Sequence, residues 1–441
     1  MGVENWTKTR LGDVIRVKHG WPFKSELFDE KLTGRPIVVA VGNFAYTGGF
    51  RFDSTLVKEY RGEYPPDFVL APGDILLVMT CQTAGGEILG IPARIPNDGR
   101  TYLHNQRLGK VVVKNSALVD PAFLYWVFLS ESFNQELCAS ATGTKIVHTA
   151  PDRIEAYSFD RPPLDEQRAI ARILGTLDDK IELNRRMNQT LEAIARAIFK
   201  SWFVDFDPVR AKAAGRKPPG LAPAIADLFP DSFEDSELGE IPTGWTVGTL
   251  GTVAAESRGA VRPADIERGT PYIALEHMPQ RSIALNSWGV SDDIASGKLR
   301  FKVGDILFGK LRPYFHKVGP APLDGVCSTD IVVCRPKGDE WYGFALLQMA
   351  SDDFVAHTER GSTGTKMPRT NWRDMAAYPV VLPKPEIAQR FTGIVRPMVD
   401  RIRASIFEQA TLAALRDALL PKLISGELRV AEAERIGASV D

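Results

Sequence analysis

At 441 residues the chain is too long for one hydrophobic core, so two to three domains are expected. Its 44% hydrophobic and 25% charged content is that of an ordinary globular protein and excludes a disordered, fibrous or low-complexity class. A formal net charge of −1 advertises no nucleic-acid partner, so any basic face has to be local.

No apolar run reaches the roughly 20 residues that span a bilayer, and the start Met1-Gly-Val-Glu-Asn-Trp6 lacks the regions of a signal peptide. A cytoplasmic location is expected. Cys81, Cys138, Cys327 and Cys334 form no Cys-x-x-Cys pair and read as reduced thiols.

Residues 1 to about 160 alternate short apolar strands with turns. Arg35–Val41, Asp74–Met79 and Gly109–Val113 have the β-branched look of buried strands, and Pro121–Leu137 reads as a helix with Leu124, Val127, Phe128 and Leu137 on its apolar face. From Asp165 to about Asp205 the pattern changes. Ile170, Leu174, Leu177, Ile181, Asn184, Asn188, Leu191, Ala195, Ile198 and Trp202 recur at 4-3 spacing, the seam of a helix lying along another helix. Asp178 and Asp179 on that helix read as a solvated face. Residues 207–240, basic first and acidic later, read as a surface connector.

The plan then repeats, with strands at 271–275, 305–308 and 330–333 and a helix near 343–351. Trp6, Leu11 and Gly12 return as Trp245, Leu250 and Gly251, and Gly73-Asp-Ile-Leu76 as Gly304-Asp-Ile-Leu307. Thr142-Gly-Thr-Lys145 and Tyr157 return as Thr363-Gly-Thr-Lys366 and Tyr378, both at an offset of 221, and that offset then holds through the seam. The second copy is Phe391, Val395, Met398, Ile402, Ser405, Gln409, Leu412, Arg416, Leu419 and Leu423. Arg416 interrupts it, and Pro397 predicts a kink or restart. In an antiparallel pair, Asn184 and Asn188 would meet Ser405 and Gln409 as one polar layer that sets register. The expected fold class is therefore α+β: two mixed modules related by pseudo-two-fold symmetry and separated by an antiparallel pair of long helices. The expected layout is a first module at 1–160, a helix at 161–206, a linker at 207–240, a second module at 241–381, a helix at 382–426 and a tail at 427–441.

Phosphate-cradling, dinucleotide and zinc-protease motifs are missing from the sequence, and Tyr64-Pro-Pro-Asp67 reads as a turn. Three kinds of stretch carry donors beside turns. In the first module these are Asn105, Gln106 and Arg107, then Thr144 and Lys145 with His148. In the second they are Lys310, Arg312, Tyr314 and Lys317, then Thr365, Lys366, Arg369 and Asn371. Asn, Gln and Arg can bond base edges, while Lys and Thr favour phosphates. Taken singly, each stretch reads better as a solvated loop than as a contact; the recurrence of Thr-Gly-Thr-Lys in both copies brings contact with an anionic backbone level with that reading.

Leu-Gly-Asp after an N-terminal Trp, Gly-Asp-Ile-Leu, and Leu311-Arg-Pro-Tyr314 with a later Ser-Thr resemble the specificity subunits of type I restriction–modification enzymes. So do Pro162-Pro-Leu-Asp-Glu-Gln-Arg168 opening the first helix and Leu423-Ile-Ser-Gly-Glu-Leu428 closing the second. The first module lacks Leu-Arg-Pro-Tyr, and Pro383-Lys-Pro-Glu-Ile-Ala-Gln389 departs from the first-copy motif. The resemblance implies target-recognition domains at 1–160 and 241–381, each reading half of a split double-stranded DNA site. It also implies two methyltransferase subunits docked on the helices, with motor–nuclease subunits joining them. S-adenosylmethionine, ATP and Mg would belong to those partners, leaving this chain non-catalytic and without cofactor or metal. The helix-pair and partner residues would be Ile170, Leu174, Leu177, Ile181, Asn184, Asn188, Leu191, Ile198, Trp202, Met398, Ile402, Gln409, Leu412 and Leu419. A self-contained DNA-modifying enzyme and a duplicated scaffold that binds no DNA remain as alternatives.

Overall fold

The computed structural model describes residues 5–29, 31–53, 56–292, 295–362, 364 and 367–437. The chain divides into two compact units, one comprising residues 1–179 with 412–441 and the other residues 180–411. The division cuts both long helices, Leu164–Phe203 and Pro385–Ser425, so each unit consists of one α/β module and a stretch of each helix.

In the first unit a four-stranded sheet orders Ile15–His19, Leu108–Val113, Ile75–Val78 and Pro92–Arg94, all antiparallel. A five-stranded sheet carries one parallel pair, Tyr102–His104 beside Ile37–Val39. The second unit repeats both. Ala254–Glu256, Ile331–Pro336, Ile306–Gly309 and Val318–Pro320 form its four-stranded sheet, and Gly325–Cys327 runs parallel to Pro271–Ile273 in the other. In each unit the strand after the N-terminal Trp (Thr7–Arg10; Thr246–Thr249) pairs antiparallel with the strand that leads into a long helix (Ser158–Arg161; Pro379–Leu382). Leu11 N donates to Tyr157 O at 2.8 Å, and Leu250 N donates to Tyr378 O at 2.9 Å. Leu11 and Leu250 are fully buried beside these bonds, and a Cβ on the following glycine would sit 3.0 Å from Glu155 O at Gly12 and 3.1 Å from Ala376 O at Gly251, which accounts for the recurring Leu-Gly.

The Gly-Asp-Ile-Leu repeat is a turn device. Gly73 and Gly304 both have φ of 86°, a left-handed conformation that favours glycine. The adjoining carboxylates close the turn: Asp74 accepts from Ala71 N and Asp305 from Lys302 N, each at 2.8 Å. Each also binds a cation on the neighbouring strand, Lys110 for Asp74 and Arg335 for Asp305, the second bidentate.

The seam residues cover the modules as well as each other. In the first unit Ile170 and Leu174 share a core with Leu419, Leu423, Phe123, Trp126 and Phe159, with Leu177 at its edge. In the second unit Ala195 and Trp202 share a core with Phe391, Val395, Ile402, Phe344 and Phe308, and Leu191, Ile198 and Met398 pack against it. In both, one end of one helix meets the opposite end of the other, as the antiparallel reading expects. Ile181 and Leu412 are buried. Phe199 and Phe203, off the heptad positions, are also core residues, with ring centroids 6.0 and 4.9 Å from that of Phe391.

Asn184, Asn188, Ser405 and Gln409 are all buried, and Ser405 Oγ donates to Asn184 O at 3.4 Å. Ser405 is the repeat counterpart of Asn184, so a residue touches its own copy, as an antiparallel register centred on this polar layer requires.

Four expectations change. Arg416 does not merely break the seam: buried to 8% exposure, it donates to Asp178 Oδ1 at 2.6 Å and also pairs with Asp417, so Asp178 is an ion-pair partner and not a solvated face. The helix neither stops nor restarts at Pro397, which is exposed along with Gly393, so water can satisfy the carbonyl that the proline leaves free. Pro121–Leu137 is two helices, Pro121–Phe128 and Glu131–Ser140, the second capped by Ser130. Residues 207–240 are ordered: the helix Asp207–Ala213 and the hairpin Phe233–Ser236/Gly239–Pro242 form there, and Val209 and Phe229 enter the core of the second unit.

Ile402 is 2% exposed in the seam. Ile402→Ala is expected to lower stability by about 2–5 kcal/mol, measured as a lowered urea midpoint.

Candidate nucleic-acid interface

In the first unit three segments meet at one strand exit. The strand Ile75–Val78 is followed by Met79, whose N donates to Arg107 O at 2.9 Å and whose carbonyl accepts from Thr149 N at 3.0 Å. The short strand Thr80–Cys81 pairs with Val147–His148, and Thr80 Oγ1 and His148 Nδ1 are hydrogen-bonded at 3.0 Å. Asn105, Gln106 and Arg107 are thereby brought beside the turn that bears Thr144, Lys145 and His148. Gly143 in that turn has φ of 109°, and a Cβ there would sit 2.0 Å from Ile146 O, so the Thr-Gly-Thr-Lys turn demands glycine.

The same junction is built in the second unit. Lys310 N donates to Asp330 O at 2.9 Å, and the Lys310 carbonyl accepts from Thr370 N at 3.0 Å. Leu311 bridges Arg369, and Arg312 N donates to Pro368 O at 2.8 Å. Met79, Thr80 and Cys81 therefore correspond to Lys310, Leu311 and Arg312, while Arg107 corresponds to Asp330 and His148 to Arg369. The backbone plan is shared, and the presented side chains are not.

The first junction presents Arg107, Lys145 and His148 exposed, with Asn105 and Gln106 half-buried. Asn105 Oδ1 accepts from Arg107 N at 2.9 Å and shapes the turn. Gln106 Oε1 is sealed from solvent and finds no donor among the described residues. His104, beneath the turn, is buried and joined through Nε2 to Leu108 O at 2.8 Å. Burial pushes its imidazole down to about 4, against the pull of that hydrogen bond.

The second junction presents Lys310, Arg312 and Tyr314. Arg312 stands at φ of 50°, and its Nε has no hydrogen-bond partner among the described residues. Tyr314 is 42% exposed and tilts against Phe315, with ring centroids 4.8 Å apart. Arg369 pairs with Asp330 at 3.1 Å.

The description "Type I restriction modification DNA specificity domain" matches residues 3–193. The HindI type I restriction enzyme specificity subunit of Haemophilus influenzae is 24% identical, covering 97% of this chain and 100% of that protein. The MjaIX specificity subunit of Methanocaldococcus jannaschii is also 24% identical, over 74% of this chain and 73% of its own length. The chain is thus similar to type I restriction–modification specificity subunits, through the domain match over residues 3–193 and through relatives aligned along most of its length. The crystal structure of a type I S subunit from M. genitalium shares the fold, with a TM-score of 0.56, 15% identity and coverage of 95% of this chain and 96% of that one.

Within this specificity-subunit fold, two expected contact residues serve the protein itself. Lys317 Nζ donates to Leu275 O at 2.6 Å, and burial pushes its ammonium down from the ordinary value, so it is a strut. Asn371 caps the helix Trp372–Ala376, accepting from Asp374 N at 3.0 Å. Thr365 and Lys366 lie outside the described residues. Sequence reasoning passed over Thr80, Asp330 and Trp21. Trp21 is 37% exposed and rests against Phe68, with ring centroids 5.3 Å apart. Its backbone holds the Asn105 turn, donating to His104 O at 2.8 Å and accepting from Gln106 N at 3.1 Å. An aromatic inside polar sequence was the available signal.

His104 yields a pH prediction. Between its unfolded value near 6.5 and about 4, the unfolded chain binds a proton that the folded chain refuses. Stability must therefore fall as pH drops through that window, by up to about 3 kcal/mol. In urea titrations at pH 7 and 5, His104→Gln is expected to show a smaller drop than the parent.

Proposed function

We propose that this chain is the non-catalytic, DNA-reading specificity subunit of a type I restriction–modification complex. Each unit reads one half of a split double-stranded site. The observation that carries this reading is the pair of junctions: the same backbone bonds at Met79 and Lys310 hold unlike side chains, Arg107 and His148 in one unit, Asp330, Arg369 and Arg312 in the other. One scaffold with two different donor and acceptor sets suits two different base sequences. The curated relatives named above are specificity subunits, which supports the same reading.

The long helices serve as spacer and as the docking surface for two methyltransferase subunits, with motor–nuclease subunits joining that assembly. Leu183 and Ile194, apolar and exposed on the first long helix, favour such a partner. S-adenosylmethionine, ATP and Mg act on the partner subunits, and the complex works in the cytoplasm. Among the described residues no helix is long and apolar enough to cross a membrane.

Since the chain carries no net positive charge, phosphate neutralisation falls partly to the partners. Gel-shift titrations are expected to show weak binding by the chain alone, and much tighter, strongly salt-dependent binding once the methyltransferase is added. Equal affinity in both would count against the reading. Arg312→Ala is expected to relax base choice in one half-site only, by about 1–3 kcal/mol, read by sequencing the methylated sites of cells carrying the variant complex. A uniform loss across all sequences would make Arg312 a phosphate contact.

A further inference from the structure

The Leu311-Arg-Pro-Tyr-Phe-His316 loop holds two non-glycine residues in the left-handed region, Arg312 at φ of 50° and His316 at 51°. Such backbone persists only where its surroundings over-determine it. A polar chain within the second unit does so, and it begins on the first long helix.

Glu192, one position past the seam residue Leu191, is 6% exposed. Its Oε2 accepts from Ser282 Oγ and from Ile283 N, both at 3.0 Å. Its Oε1 accepts from Arg196 Nε at 3.0 Å and Nη2 at 2.8 Å. Arg196 Nη1 in turn donates to Ala350 O. Two ties run from these anchors to the loop. Arg281, preceding Ser282 and itself at φ of 55°, donates its N–H to His316 O at 2.9 Å. His316 Nε2 donates to the same Ala350 carbonyl that Arg196 holds, at 2.9 Å. Asp352 completes the ring, accepting from Arg281 at 2.9 Å with His316 Nδ1 3.3 Å away. The repeat counterpart of Glu192 is Ala413, so the first unit has no equivalent carboxylate at that helix position. Its helix instead uses Gln167, which binds Asp120 N and Leu118 O rather than the reading turn.

We propose that Glu192 is a positioning residue for the second reading loop. Buried and out of reach of DNA, it fixes the Arg281–Ile283 segment and, through Arg196, the Ala350 carbonyl. Those two anchors hold Arg312 and Tyr314 in their presenting conformation. Base choice in one half-site therefore depends on a carboxylate of the spacer helix. This inference rests on the DNA-reading function proposed above.

The test uses the full chain co-expressed with its methyltransferase subunit, and sequencing of the methylated sites. Glu192→Ala and the milder Ser282→Ala are expected to make one half of the split motif degenerate, cutting discrimination there by about tenfold or more for the first variant, with the other half unchanged. Glu192→Gln, which keeps the acceptor for Ile283 N, is expected to restore most of it. Should Glu192→Ala fail to assemble, the Ser282→Ala and Glu192→Gln complexes decide. An unchanged motif in Glu192→Ala and Ser282→Ala, or an equal fall at both halves in either, overturns the proposal. Arg312→Ala is run beside them: if it too leaves both halves unchanged, the DNA-reading assignment of this loop fails, whereas relaxation by Arg312→Ala alone overturns only the role of Glu192.

Discussion

Neither module closes its own core. In the first unit the apolar faces of Phe123, Trp126 and Phe159 are covered by Ile170 and Leu174 from one long helix and Leu419 and Leu423 from the other. In the second unit Phe308 and Phe344 are covered by Phe199, Trp202, Phe391 and Val395. Helices of 40 and 41 residues with such stripes find their stability in tertiary packing more than in propensity. Helix and module are thus mutual requirements, which accounts for an offset of 221 that cannot drift after the Thr-Gly-Thr-Lys turn. An insertion in either helix would rotate its apolar stripe away from the module it must cover.

That constraint leaves the strand-exit turns free to vary. The backbone bonds at Met79 and Lys310 are kept because buried N–H and carbonyl groups need partners whatever the side chains are. Arg107 against Asp330, and His148 against Arg369, change nothing in that ladder. Separating a rigid covered core from an exchangeable rim is how one fold can carry many specificities. The second unit departs from simple duplication in one respect, since its rim is anchored by Glu192 and Arg196 of the helix itself.

Much of this was legible in order of residues alone. The heptad spacing located the seam, the polar layer at Asn184 and Ser405, and both helices to within a few residues, because a buried stripe must obey the helical period. Glu192 was invisible: a glutamate beside the seam reads as solvated, and its partners Ser282 and Ile283 lie some ninety residues away. Lys317 and Asn371 were read as contacts because Lys and Asn serve DNA and protein backbone equally well; only the Leu275 carbonyl and the Asp374 amide distinguish the two.

By itself, then, the chain's order of residues determined the duplication, the α+β modules and the paired helices, since periodicity and repeat spacing are properties of a line. Tertiary structure alone decided which donors share a junction, that Arg416 is neutralised by Asp178, that 207–240 packs inward, and that Trp21 supports the Asn105 turn. Those outcomes depend on contacts between residues far apart along the chain, whose pairing carries no local period to read.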